Sequence, residues 1–334
     1  MAYPKPLSEK SLARLYQQSG LSQEQSMYLH SLFQACANLY GAVPLRVVWD
    51  VYHGQSSAPK LRRKDIISFS EIARRETLPY YIFEIDELYS EEKRADLSRE
   101  IVSKELVGFG YGRLAHYYRL MESLRQELYY IPGDILPFAS RQPSKEEAKL
   151  LTFLNELTVT SEQCCPRYGK PYPCVNRGKR LKEFSFLNHD ERFEEEYLTK
   201  NHSALLSFRE SVAGTEAEKI LRKYCQSENI NSLEFNYHLE NIMEELEEVG
   251  VELSTRQTHE LIQLLTDYHN NSHLWCLCGW TSSDLARQYK PSMPTSIAFG
   301  PNMQKMFSDG TMDRNEIVRE LQKMGVDVLE EHMK

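Results

Sequence analysis

Long apolar runs are missing from this chain. No stretch of its 334 residues approaches the ~20 consecutive apolar positions that a bilayer-spanning helix needs, so no membrane partner is expected. The opening MAYPKPLSEK also lacks the apolar segment of a secretory signal. An excess of positive charge is missing too. Lys and Arg number 40 against 48 Asp and Glu, a net charge of −8. That balance argues against bulk attraction to nucleic acid or anionic lipid and leaves only a local basic face open. A paired cysteine framework is absent: the seven cysteines are odd in number and unevenly spaced, in a chain long enough to build its own core. Reduced thiols and a cytoplasmic address follow as the expectation. No Gly-x-Ser-x-Gly, His-Glu-x-x-His or Walker sequence occurs, which removes the hydrolases, metalloproteases and nucleotidases those motifs mark. His189-Asp190 matches the dipeptide of metal-dependent phosphohydrolases, a two-residue coincidence without weight.

What remains is the composition of a soluble globular protein, 41% hydrophobic and 26% charged, long enough for two domains or more. The expected fold class is mainly α: a winged-helix-like α+β domain over 1–128, a junction at 129–142 and an all-α domain over 143–334. Residues 8–20 predict a helix stopped by Gly20. Ser22 caps a second that ends at Gly41, with Met27, Leu29, Leu32, Phe33, Cys36 and Leu39 as core. Pro44 suits the first turn of a third, PLRVVWDVYHG. Ser68 or Ser70 begins a short helix, SEIARRE, stopped by Pro79. Two extended runs follow, 80–90 and 100–108, the first with Tyr81, Phe83 and Ile85 on one face and Ile82, Glu84 and Asp86 on a wetter one.

Helix, helix, short helix, strand, charged loop, strand is winged-helix order. SEIARRE then takes the recognition position, with Arg74 and Arg75 exposed and Lys60, Arg62, Arg63 and Lys64 beside them as phosphate contacts. The supposed wing, EEKRADLSRE, carries mixed charge. The glycine-rich turn Gly108–Gly112 opens a helix but lacks the flanking Lys-Ser/Thr of a phosphate loop.

Beyond the Pro-Gly junction, Ser144 predicts a helix to about Leu157. The run 164–182, CCPRYGKPYPCVNRGKRLK, then holds six Lys/Arg and no acid. Two readings stand for it. Arg167, Lys170, Arg177, Lys179 and Arg180 supply a second basic surface whose tyrosines stack on bases, or the run is a Tyr/Pro-packed loop whose charges meet the acidic EEEYL just after it. The rest reads as helices, one opened by Thr215-Glu-Ala-Glu218 and another closed by Gly250. FSDGTMDRNE imitates half a calcium loop, but Lys305 and Phe307 occupy ligand positions. Asp313 with Glu316 reads instead as a helix cap.

The stretch 261–289 concentrates side-chain chemistry. His269, His273, Cys276 and Cys278 are zinc-ligand types within ten residues, although their spacing departs from the usual paired knuckles. Zinc is the one cofactor they suggest, with Cys164, Cys165 and Cys174 as further thiols. A zinc-dependent hydrolase using Asp267 as base is the alternative function. The competing reading makes the cysteines small buried hydrophobes beside Trp275 and Trp280.

Three segments, NLYGAVPLRVVWDVY (38–52), LPYYIFEIDELYS with IVSKELVGFGYG (78–112) and LTDYHNNSHLWCLCGWTSSDLA (265–286), together resemble a group of uncharacterised Firmicutes proteins. Some members carry a SEC-C zinc module. Cys276-Leu-Cys278-Gly279 is similar to its first ligands, and its distal pair does not follow. The resemblance implies fold and compartment, and no activity. The function expected from the sequence is an intracellular, non-enzymatic binding or regulatory protein, contacting a protein partner or nucleic acid through the winged-helix-like module and the basic loop.

Overall fold

The computed structural model describes residues 3–88, 97–107, 128–140, 142–164, 172–187, 189–199, 205, 209, 212–230, 235–288, 296–297, 307–308, 313–323 and 327–328. The protein is mainly helical with a small antiparallel sheet. Among the described residues no helix is long and apolar enough to cross a membrane. The chain forms two compact units, Met1–Ser282 and Ser283–Lys334. Residues 129–142, read from sequence as a junction, run through the first unit.

That unit begins with α1 (Glu9–Ser19) and α2 (Gln23–Tyr40). Both start where local chemistry starts them. The Ser22 hydroxyl accepts the Gln25 amide at 3.1 Å while the Gln25 side chain accepts the Ser22 amide at 2.9 Å, a reciprocal box that satisfies two orphan donors. Gly20 and Gly41, at φ 72° and 68°, close the two helices. Leu29, Leu32, Phe33, Cys36 and Leu39 are buried as expected, but Met27 is 62% exposed. It sits on the solvent side of α2, where its apolar character carried no directional information.

After α2 come β1 (Ala42–Pro44), α3 (Leu45–His53), α4 (Arg63–Ala73), β2 (Tyr80–Phe83), the single turn α5 (Ile85–Leu88), β3 (Glu100–Ser103) and the turn α6 (Lys104–Val107). The strands lie in the order β1-β3-β2, all antiparallel, with Val43 opposite Ile101 and Ile82 opposite Ile101 on the other side. Ile101 and Val102 of the central strand are fully buried, Ile101 within the core that α2, α3 and α4 share.

Three local expectations are corrected here. First, α4 starts at Arg63, not at Ser68 or Ser70, because the Asp65 carboxylate reaches back to the Arg62 amide at 2.8 Å and opens the helix a turn earlier. Ser70 lies inside it and donates to the Ile67 carbonyl at 2.7 Å. Second, both extended runs stop after four residues and turn helical. Third, it is the Tyr80 and Ile82 face of β2 that enters the core; the opposite side is covered by Tyr3, whose ring meets Tyr81 and Phe83 edge-on at 4.9 and 5.3 Å.

The 3-10 turn Leu136–Ala139 then lies along α2, and the Asn38 amide donates to Phe138 O at 2.8 Å. Helix α7 (Lys145–Glu156), capped by Ser144 and Glu147, leads to the hairpin β4 (Gln163–Cys164) and β5 (Tyr172–Pro173) and the 3-10 turn Leu181–Glu183. Next come α8 (His189–Leu198), α9 (Glu216–Ile230), α10 (Phe235–Glu248) and α11 (Thr255–Asn271). Helices α9 and α10 run antiparallel, as the pairs Lys223–Glu245 and Ser227–His238 show. Lys219, almost fully buried in α9, lies between Glu191 at 3.2 Å and Glu216 at 3.5 Å, so its charge is compensated where water cannot reach. The Thr215–Glu218 box and Gly250, at φ 86°, bound helices as predicted.

Helix α12 (Ser282–Gln288) begins at the boundary of the units. The second unit holds β6 (Ser296–Ile297), α13 (Arg314–Lys323) and β7 (Asp327–Val328), with the two strands parallel. Asp313 caps α13, its carboxylate accepting the Asn315 amide at 2.8 Å. The Gly108–Gly112 turn lies outside the described residues.

Candidate functional site

The basic cluster of the N-terminal part divides into two groups. Arg63, Lys64 and Arg75 are exposed on or beside α4, with Lys60 just before it and Arg46 exposed on α3. Arg62 is exposed and paired with Asp65 at 3.1 Å, an i,i+3 contact open to solvent. Arg74 is different. Its side chain is only 10% exposed and forks onto Glu84 at 2.8 Å and Glu87 at 2.7 Å, with its guanidinium 5.6 Å from the Tyr3 ring centre. It is not the exposed phosphate contact expected from its place in SEIARRE: the strand that follows α4 brings two carboxylates back over it.

Arg99 completes this arrangement from β3's side. It donates to Glu84 at 2.9 Å and to the Ser70 hydroxyl at 2.6 Å, and it pairs with Glu71. Two largely buried arginines therefore fasten α4 to the base of the β2–β3 hairpin, a geometry with several charge-assisted bonds per guanidinium. Arg99, Tyr3 and Arg46 carried no sequence signal. Arg99 and Tyr3 are isolated residues whose roles come from what the fold places opposite them.

The second basic segment is satisfied locally. Arg167 and Lys170 lie outside the described residues. Arg177 pairs with Glu162 at 2.9 Å, Lys179 with the Asn176 side chain at 3.1 Å, and Arg180 and Lys182 both with Glu156, at 2.8 and 2.5 Å. These acids stand at the end of α7 and in β4's approach, rather than in EEEYL. Lys182, and then Arg180, hold the Glu156 carboxyl below the usual range. All are solvent-exposed pairs, so they are readily exchanged. Tyr172 stacks on Phe186, with centroids 6.2 Å apart.

The side chains of 269–278 meet groups within the fold: His269 and Cys276 both reach Glu228, and His273 reaches Gly279. His269 Nδ1 lies 3.1 Å from a carboxylate oxygen of Glu228, itself fully buried and also bonded by the Tyr224 hydroxyl at 3.2 Å. His273 Nδ1 lies 2.7 Å from Gly279 O, with its ring stacked on Tyr130. Cys276 Sγ is 3.6 Å from Glu228 O, and Cys278, at φ 52°, makes the corner of the turn. Asp267 accepts from Gln263 at 3.0 Å. Among the described residues no three His, Cys, Asp or Glu converge in the way a metal ion requires. Cys164 and Cys174 meet elsewhere, both within 3.8 Å of Val249 O, at the opposite end of the α9–α10 pair. At ~1.5 Å rise per residue that is on the order of 15 Å from Glu228, too far to share an ion with Cys276 or Cys278.

What the Trp275 turn does is fasten the first unit together. Trp275 Nε1 donates to Asn38 O at 2.7 Å, and the Tyr130 amide donates to Cys278 O at 3.1 Å. Its indole lies so close to Gly41 that a Cβ there would sit 2.6 Å from it. Gly279 is pressed against Tyr40 in the same way, at 2.8 Å. Compared with protein-family models, with curated proteins and with solved structures, the chain matches none.

Proposed function

We propose that the N-terminal part is a winged-helix module that grips duplex nucleic acid through α4, and that the chain is a non-enzymatic regulatory protein of the cytoplasm. The observation that carries the reading is the division of the arginines. Arg74 and Arg99 turn inward and lock α4 to the hairpin, while Arg63 and Lys64 at the start of α4, Lys60 before it and Arg75 after it are exposed. Exposed cations thus flank and open the helix that a winged helix inserts into the major groove. The topology supports the same reading: the sheet order is β1-β3-β2, with α3 and α4 between β1 and β2 in sequence and β3 following β2 antiparallel. Buried thiols support the cytoplasmic placement.

The outward cations are phosphate contacts in this reading, giving affinity and register rather than sequence choice. Arg177, Arg180 and Lys182 form a reserve surface whose weak pairs exchange for phosphate. The test is fluorescence anisotropy with random duplex and single-stranded DNA at two salt concentrations. Salt-sensitive duplex binding, reduced in Arg63→Ala/Lys64→Ala, is the expected result. Binding absent at low salt, or unaffected by the substitutions, refutes it.

A further inference from the structure

Along α10 the first unit forms a groove of about 690 Å³. Its lining comes from α10, from the turn 250–253 that follows it and from Ser161 and Gln163 around the start of β4. The chain before β4 holds that turn in place. The Thr160 and Ser161 amides both donate to Gly250 O, at 3.0 and 2.9 Å, and the Thr160 hydroxyl accepts the Glu252 amide at 3.2 Å.

The lining falls into two rows. Leu239, Met243 and Leu246 follow at i, i+4 and i+7 on α10, and Val251 and Leu253 extend the apolar row beyond the helix. Leu239, Met243 and Leu253 are only half-buried. Glu240, Glu244 and Glu247 repeat the same spacing one residue later, and Glu252 adds a fourth carboxylate, all four exposed. Such spacing keeps each row on one side of the helix over about 10 Å. Among the described residues no lysine or arginine lines the groove. The acids of α10 thus divide. Glu245 meets Lys223 of α9 at 2.9 Å, while no ion pair among the described residues takes Glu240 or Glu247.

Chemistry separates the occupants such a surface could take. A nucleic acid brings its phosphates against four carboxylates. A small molecule calls for polar groups that converge on it, and here the carboxylates run in a row. A second copy docked through the same face sets acid against acid. A helix with an apolar stripe between basic flanks satisfies both rows at once, covering Leu239, Met243 and Leu253 and placing cations beside Glu240 and Glu247. The geometry points to this groove as the docking site for such a basic amphipathic helix of a partner protein. Docking here does not require α4 to bind nucleic acid, and the two are read with different probes.

The experiment is fluorescence anisotropy of the full chain with a labelled helical peptide of about four turns, leucines at i, i+3, i+4 and i+7 and lysines on both flanks. One control peptide replaces the leucines by serine and another replaces the lysines by glutamate. At about 150 mM salt only the leucine-lysine peptide is expected to saturate. Glu240→Lys/Glu247→Lys is expected to weaken it by about tenfold or more and to gain binding of the leucine-glutamate peptide. Glu194→Lys/Glu196→Lys on α8 makes the same change in net charge at exposed positions and is expected to leave binding unchanged. Met243→Ser is expected to weaken the peptide by a similar factor through lost apolar contact, and it carries the test if the charge reversal does not fold. No saturation by about 100 μM, the serine peptide binding as well as the leucine one, or the α8 reversal weakening binding as much as the α10 reversal would each overturn the assignment. So would self-association in sedimentation that the Glu240→Lys/Glu247→Lys variant loses, which would make the groove a contact between copies. Arg63→Ala/Lys64→Ala is expected to leave peptide binding intact.

Discussion

Removing cations from the outward side of α4 gives the sharpest test of how this protein works. Lys60, Arg63, Lys64 and Arg75 are exposed on or beside α4, as is Arg62, which Asp65 already pairs. If each neutralises one phosphate of duplex DNA, the slope of log K against log salt is about −0.9 per contact, or about −3.6 for four. Raising salt fourfold, from about 50 to about 200 mM, then weakens binding by about 150-fold. Arg63→Ala/Lys64→Ala leaves two contacts and a slope of about −1.8, so the same salt step costs only about 12-fold. Both slopes are measurable by anisotropy with one labelled duplex. The loss should be uniform across DNA sequences, since phosphates carry no base identity. A slope that stays near its original value in the double variant would show that these side chains face solvent in the complex, and the α4 assignment would fall.

Further outcomes follow from other parts of the structure. Arg74→Ala removes the guanidinium from Glu87, whose side chain is 8% exposed, and leaves Glu84 to Arg99 alone, and should cost about 3–5 kcal/mol in urea unfolding; a purely phosphate-binding arginine would leave the urea midpoint unchanged. Gly41→Ala adds a Cβ against the Trp275 indole at φ 68°, and about 1–3 kcal/mol of lost stability is expected, read from the tryptophan fluorescence transition. His30, beside Tyr16 and Glu76 and edge-on to Phe69, has its pKa lowered by burial, against the opposing pull of Glu76. The unfolded chain then binds the proton first, so stability should fall as pH drops below about 6.5, and His30→Gln should flatten that slope. His269→Ala leaves Glu228 buried without its imidazole and should lower stability. Elemental analysis checks the alternative: stoichiometric zinc lost with His269 would restore the metal reading.

Sequence legibility varied by the range of the interaction involved. The starts of α1, α2, α7 and α9 were readable because a cap is a bond between residues three apart, as in Ser22–Gln25 and Thr215–Glu218. The same rule misplaced α4, where Asp65 acting on Arg62 was the decisive cap and two plausible serines were not. The buried stripe of α2 was legible through its period, apart from Met27. The candidate site was legible only as a composition. That cations gather between Lys60 and Arg75 is visible in the string; which of them reach solvent is not.

By itself, then, the sequence determined a mainly helical chain, its local start and stop signals and the concentration of basic residues around α4. Tertiary structure decided the rest. Arg74 and Arg75 are neighbours with opposite fates, because β2 and α5 return Glu84 and Glu87 to one and nothing described to the other. The His/Cys run of 269–278 has the residue types of a metal site, yet His269 and Cys276 are taken up by the carboxylate and the carbonyl of Glu228 and His273 by the Gly279 carbonyl. Trp275 meets Asn38 across 237 positions of sequence. Capping and periodicity act within a turn or two of helix. The partner of a buried charge or indole is chosen by whichever distant segment the completed core brings against it.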